Sequence, residues 1–92
     1  MNLKHQIKND SVDLSSLHPG DSGSVGEVTS NHRELKFKIL SLGLVKGALV
    51  RVLNIAPFGD PITIEVKGSK ICLRKNEASI VKLSEVNLAP QK

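Results

Sequence analysis

Three histidines and one cysteine are the side chains best suited to metal or nucleophilic chemistry, and their spacing argues against both uses. His5, His18 and His32 are widely separated, with no His-x3-His or Cys-x2-Cys pair to set two ligands on one face. They read as solvent-exposed imidazoles, at most weak or adventitious sites for a transition metal. Cys72 lies between Ile71 and Leu73 with no second cysteine and no neighbouring histidine to lower its thiol pKa, so it reads as a small packed or half-exposed thiol. The carboxylates are no better placed. Glu65 alternates outward beside Lys67, Glu77 falls in a short turn, and no two acids are paired for acid/base work. The serines of SVDLSS lack a nucleophile elbow, and Gly23-x-x-Gly26 lacks the Lys-Ser/Thr that a phosphate cradle needs. These absences exclude the usual enzyme classes, and the chain is read as non-catalytic and without a cofactor.

The elements around these residues must therefore build a binding surface. Ninety-two residues make one small domain, with Leu, Ile and Val dominating its apolar content beside two Phe and no Trp or Tyr. The lone cysteine rules out an internal disulfide and fits a reducing compartment. No apolar run reaches the ~20 residues of a membrane span, and the first residues lack the apolar stretch of a secretory signal. A cytoplasmic protein is expected. The net charge of +4 is mild and its cations are dispersed.

Residues 1–13 read as a flexible extension, with a short helix carrying Leu3 and Ile7 as the alternative. The domain is placed at 14–84 and a tail at 85–92. Pro19-Gly20-Asp21 marks a turn, and Gly23 and Gly26 flank Val25 in a strand with a bulge or bend near Gly26. A helix follows from SNHRELKFKILSLG, capped by Asn31 with Glu34 three residues on. Its Leu35, Ile39 and Leu42 stripe is widened by Phe37, Leu40 and Leu44, and Gly43 terminates it. From Ala48 the period changes. Val50 and Val52 mark one strand face, while Leu49, Leu53 and Ile55 mark another that the helix is expected to cover. APFGDP bends the chain, Ile62, Ile64 and Val66 alternate as a half-exposed strand, and Gly68-Ser69 turns it into KICLR. Asn76–Ala78 is one helical turn, and Ile80–Leu83 closes the sheet.

Two binding classes remain. Single-stranded nucleic acid needs exposed aromatics among basic residues, but only Phe37 and Phe58 exist and Phe37 is expected to pack on the helix. The dispersed cations read as a solvated rim, and no nucleic acid is expected. Protein contact is favoured. Leu44 and Val45 follow the helix terminator and Phe58 tips a Pro-bounded loop; such groups are either core anchors or partner contacts. The candidate partner surface is Leu42, Gly43, Leu44 and Lys46 at the corner after the helix, with Pro57, Phe58, Asp60 and Pro61 in the loop.

Taken in order, these pieces resemble a known family. Pro19-Gly20, Leu42-Gly43-Leu44 with Gly47, Pro57 to Pro61, Gly68, Leu73-Arg74 and Glu77-Ala78 are similar to FeoA proteins over about Leu14 to Leu83. The resemblance implies a mainly β, SH3-like barrel with one inserted helix and a short helical turn. It also implies an accessory role in ferrous iron uptake, through contact with the cytosolic GTPase region of the membrane transporter FeoB. The position often held by Arg before Leu-Gly-Leu is Lys38, which keeps the charge without the bidentate fork. Weak self-association is compatible with the family. A related domain ends iron-dependent transcriptional regulators, so a regulatory module is the alternative within this resemblance.

Overall fold

A computed structural model describes Gln6–Ile7 and residues 12–90. Its elements run β1 (Gln6–Ile7), a 3₁₀ turn (Leu14–Ser16), β2 (Ser22–Val28), α1 (Arg33–Ser41), β3 (Leu49–Ile55), β4 (Ile62–Val66), β5 (Ser69–Leu73), α2 (Lys75–Ala78) and β6 (Val81–Asn87). The strands form one sheet in the order β1-β6-β2-β3-β4-β5, with every pairing antiparallel. This is the mainly β, SH3-like arrangement, with α1 inserted between β2 and β3.

The core is aliphatic because β2 to β6 turn β-branched or leucine side chains inward. Val50 and Val52 of β3, Ile62, Ile64 and Val66 of β4, and Val81, Leu83 and Val86 of β6 are all buried. Leu14, Leu17, Ile39 and Leu44 close it from outside the strands. Bending comes from β2, whose register with β6 shifts between Ser24 and Val25 and again between Val25 and Glu27, as its paired glycines suggest. Gly23 is required there for closeness: a Cβ would stand 2.5 Å from the Glu85 carbonyl oxygen.

Helix α1 ends in a Schellman motif. The Gly43 N–H donates to Leu40 O at 3.0 Å and the Leu44 N–H to Ile39 O at 3.4 Å, with Gly43 at φ 101°. This closure turns Leu44 back onto Ile39, and both side chains are fully buried. At its start the helix differs from expectation. His32 is the N-cap and makes no side-chain cap bond, while the Ser30 hydroxyl accepts the His32 N–H at 2.9 Å. The cap expected of Asn31 is therefore absent, and Ser30 instead forms the turn that leads into the helix.

Other departures have similarly local causes. The β4–β5 turn is Lys67-Gly68, one residue earlier than expected, because Val66 pairs with Ser69 and both turn residues take positive φ. Gln6–Ile7 are extended and paired with Val86 and Asn87, so Ile7 is not helical; Leu3 lies outside the described residues. β6 runs through Asn87 rather than stopping near Leu83, because β2 supplies partners as far as Asn87. Beyond it the Ala89 N–H donates to Asp21 Oδ1 at 2.7 Å, so the chain expected to be a tail from residue 85 is held against the turn before β2. No described helix is long and apolar enough to cross a membrane.

Candidate functional site

The turn after β3 projects because its backbone is closed on itself. Ala56 N–H donates to Pro61 O at 3.1 Å and Gly59 N–H to Ala56 O at 2.7 Å, leaving Pro57 exposed and Phe58 at the tip with 98% of its surface open. Asp60 anchors the loop: its Oδ1 accepts the Lys75 N–H at 3.0 Å and ties it to the start of α2. Beside this anchor lies a cleft of about 360 Å³ lined by Lys38, Asp60, Pro61, Cys72, Leu73, Arg74 and Glu77.

Glu77 organises the cleft wall. It is 8% exposed, yet both carboxylate oxygens are satisfied. Oε2 accepts from Lys38 Nζ at 2.6 Å and Oε1 accepts the Arg74 N–H at 2.8 Å. The lysine hydrogen bond, then the backbone donor, hold its pKa below the ordinary glutamate value against the opposing effect of burial. Lys38, singled out in the sequence for lacking a fork, needs only its single charge here because α2 already supplies the second donor. Glu77 read only as a turn residue in the sequence; the missed signal is the spacing of Arg74 and Glu77, half of a capping box.

The corner after α1 is built differently. Leu42 and Gly43 are half-buried and Lys46 is exposed, but Leu44 is fully buried and is no apolar tip. The Schellman closure explains this, since the residue after the terminating glycine packs back on the helix. Gly43 sits by the side chain of Lys67 in the β4–β5 turn. The corner enters β3 at Leu49 and the loop leaves it after Ile55, so the two candidate segments lie at opposite ends of the strand, roughly 20 Å apart at ~3.3 Å per residue. They do not merge into one patch.

Two further side chains stand where the sequence did not put them. Phe37 is 72% exposed and Leu49 74% exposed, whereas both were expected to be covered. The reason for Phe37 is angular: with Ile39 facing the core at 100° per residue, Phe37 falls on the outer side of α1. Leu49 is uncovered because α1 leans toward β2 rather than over the outer face of β3. Cys72 is exposed beside the Thr63 hydroxyl (Sγ···Oγ1 3.5 Å), the more open of the two placements expected of it. His18 and His32 are exposed, His5 lies outside the described residues, and no group of three metal-ligating side chains converges among the described residues.

The FeoA domain family matches residues 12–85, from the segment before the 3₁₀ turn almost to the end of β6. This chain belongs to the FeoA family. A Chlorobium tepidum FeoA protein solved in solution is 33% identical, with a TM-score of 0.71 over 88% of this chain and 73% of that one. The Stenotrophomonas maltophilia FeoA, an SH3-domain protein crystallised with zinc, is 30% identical, with a TM-score of 0.71 over 80% of this chain and 94% of its own. A fusion protein of Fe(2+) transport protein A with the Fe(2+) transporter FeoB, from Porphyromonas gingivalis, is 27% identical over 74 residues. Those residues are 80% of this chain but only 9% of the fusion.

Proposed function

We propose that this FeoA domain is a non-catalytic, cytoplasmic accessory of ferrous iron uptake that binds a FeoB-type transporter through protein contact. The observation that carries the reading is the fusion: in the Porphyromonas relative a similar domain and the transporter share one chain, which is an economical way to keep two interacting parts together. The surface supports it. Both aromatic residues of the chain point to solvent, Phe37 from α1 and Phe58 from the loop beside the Lys38–Glu77 cleft. Exposed aromatics at projecting positions are typical anchors of protein interfaces.

The candidate contact surface is accordingly the Pro57, Phe58, Asp60 and Pro61 loop with the outer face of α1. Leu42, Gly43 and Lys46, at the other end of β3, are left out of this surface, and Leu44 belongs to the core. Co-purification with the full-length transporter tests this reading. Wild-type protein is expected to be retained, and Phe37→Asp and Phe58→Asp proteins, still folded by circular dichroism, are expected to be lost. Equal retention of all three would refute the surface, and no retention of the wild type would refute the function.

A further inference from the structure

One margin of the sheet is open. Among the described residues β5 has β4 as its only ladder neighbour, and the register decides which of its backbone groups face outward. Val66 and Ser69 close a two-residue turn, so Ser69, Ile71 and Leu73 exchange hydrogen bonds with β4. The N–H and C=O groups of Lys70 and Cys72 therefore point away from the sheet.

The outer face of these strands carries charges in cross-strand register. Arg51 stands opposite Glu65, and Glu65 opposite Lys70, so the sign alternates across β3, β4 and β5 and stops at Lys70. Exposed Lys67 and Arg74 flank the strand at its two ends. Opposite charges on neighbouring strands stabilise a sheet and like charges destabilise it. A second copy pairing through its own β5 would set Lys70 and its flanking cations against their like. Lysine on an edge strand discourages indiscriminate pairing; an acidic strand is the class it favours.

We propose that the open edge of β5 receives an extended acidic segment of a partner protein as an added strand, with a carboxylate opposite Lys70. Backbone bonds to Lys70 and Cys72 supply affinity, and the alternation begun by Arg51 and Glu65 supplies selectivity. The 360 Å³ cleft beside Cys72 and Leu73 gives the segment a recess where it leaves the edge.

This inference rests on the protein-contact reading above, and one experiment separates them. Amide hydrogen exchange is measured on the free protein and on its complex with a detergent-purified FeoB-type transporter, alongside capture of Lys70→Glu and Cys72→Pro variants. Exchange at Lys70 and Cys72 is expected to slow at least tenfold in the complex. Lys70→Glu, a surface change that leaves the core intact, should weaken capture at least tenfold. Cys72→Pro, which deletes an N–H that meets no strand, should do the same. Full-strength capture with both amides exchanging as in the free protein would overturn the edge site and leave the contact reading standing. Concentration-dependent protection in the free protein would assign the edge to a second copy and also overturn it. No capture of the wild type would remove both.

Discussion

Truncating Phe58 to alanine should separate binding from folding. At 98% exposure the ring makes almost no contact that folding could lose, so unfolding free energy should change by less than about 0.5 kcal/mol. If the ring is an anchor, an interface removes about 150–250 Å² of it from water. At ~25 cal/mol per Å² that is roughly 4–6 kcal/mol before ordering costs, which reduce the observable loss to about 2–3 kcal/mol. Affinity for the transporter should then fall roughly 30- to 150-fold at 1.4 kcal/mol per decade. Titration calorimetry with detergent-solubilised transporter measures the loss, and urea denaturation of the isolated domain supplies the stability control. Affinity within threefold of wild type, with stability unchanged, would refute the anchor. A drop in stability above 1 kcal/mol would show instead that the ring packs on the domain.

Other expectations concern the framework. Leu44→Ala should destabilise by about 3–5 kcal/mol in urea unfolding, because it empties a fully buried position beneath the helix terminator. Asp21→Ala strips the acceptor from the His18 N–H at 2.9 Å and the Ala89 N–H at 2.7 Å; a loss of about 2–4 kcal/mol is expected, seen as a Tm fall of roughly 10 °C or more. Glu77 has a lowered pKa in the folded state, so its stabilisation is complete above the ordinary carboxylate range and is lost as pH falls through its own lower value. The stability gap between wild type and Glu77→Gln, about 1 kcal/mol at pH 6 given the half-exposed lysine, should shrink as pH falls below the ordinary carboxylate range; a pH-independent gap would contradict the ion pair.

Legibility in the sequence followed the range of the forces involved. Alternation in Ile62, Ile64 and Val66 is a two-residue signal, and those three side chains are all buried. Gly43 was legible as a terminator because positive φ is a local demand, met at 101°. Cover was not legible. Phe37 and Leu49 sit in apolar patterns, but whether an apolar face meets another element depends on the lean of α1, which no local spacing encodes. Leu44 was legible only as a choice between core anchor and partner contact, and the motif that draws it back onto the helix makes it the former. The cleft was the least legible feature, since Lys38 and Glu77 are 39 residues apart and meet only in the folded chain.

The placement of the aromatics bears on function more directly than any cluster of polar groups. A small domain gains most from burying its largest apolar side chains, and among the described residues this one closes its core with Leu, Ile, Val and Ala. Both rings are left outside, where they add nothing to folding and increase the risk of non-specific association. Such an arrangement is costly to the isolated domain and useful only when another surface covers the rings. The same reasoning applies to β5, whose Lys70 ends a charge alternation that a further strand would continue. The two features differ in what they demand of a partner. The rings need an apolar pocket, whereas the edge needs an extended backbone carrying carboxylates. A transporter surface that met only one demand would still bind, and the Phe58→Ala and Lys70→Glu proteins would then differ sharply in affinity. If it met both, the two losses would be comparable and, for sites this far from sharing neighbours, close to additive in the double variant.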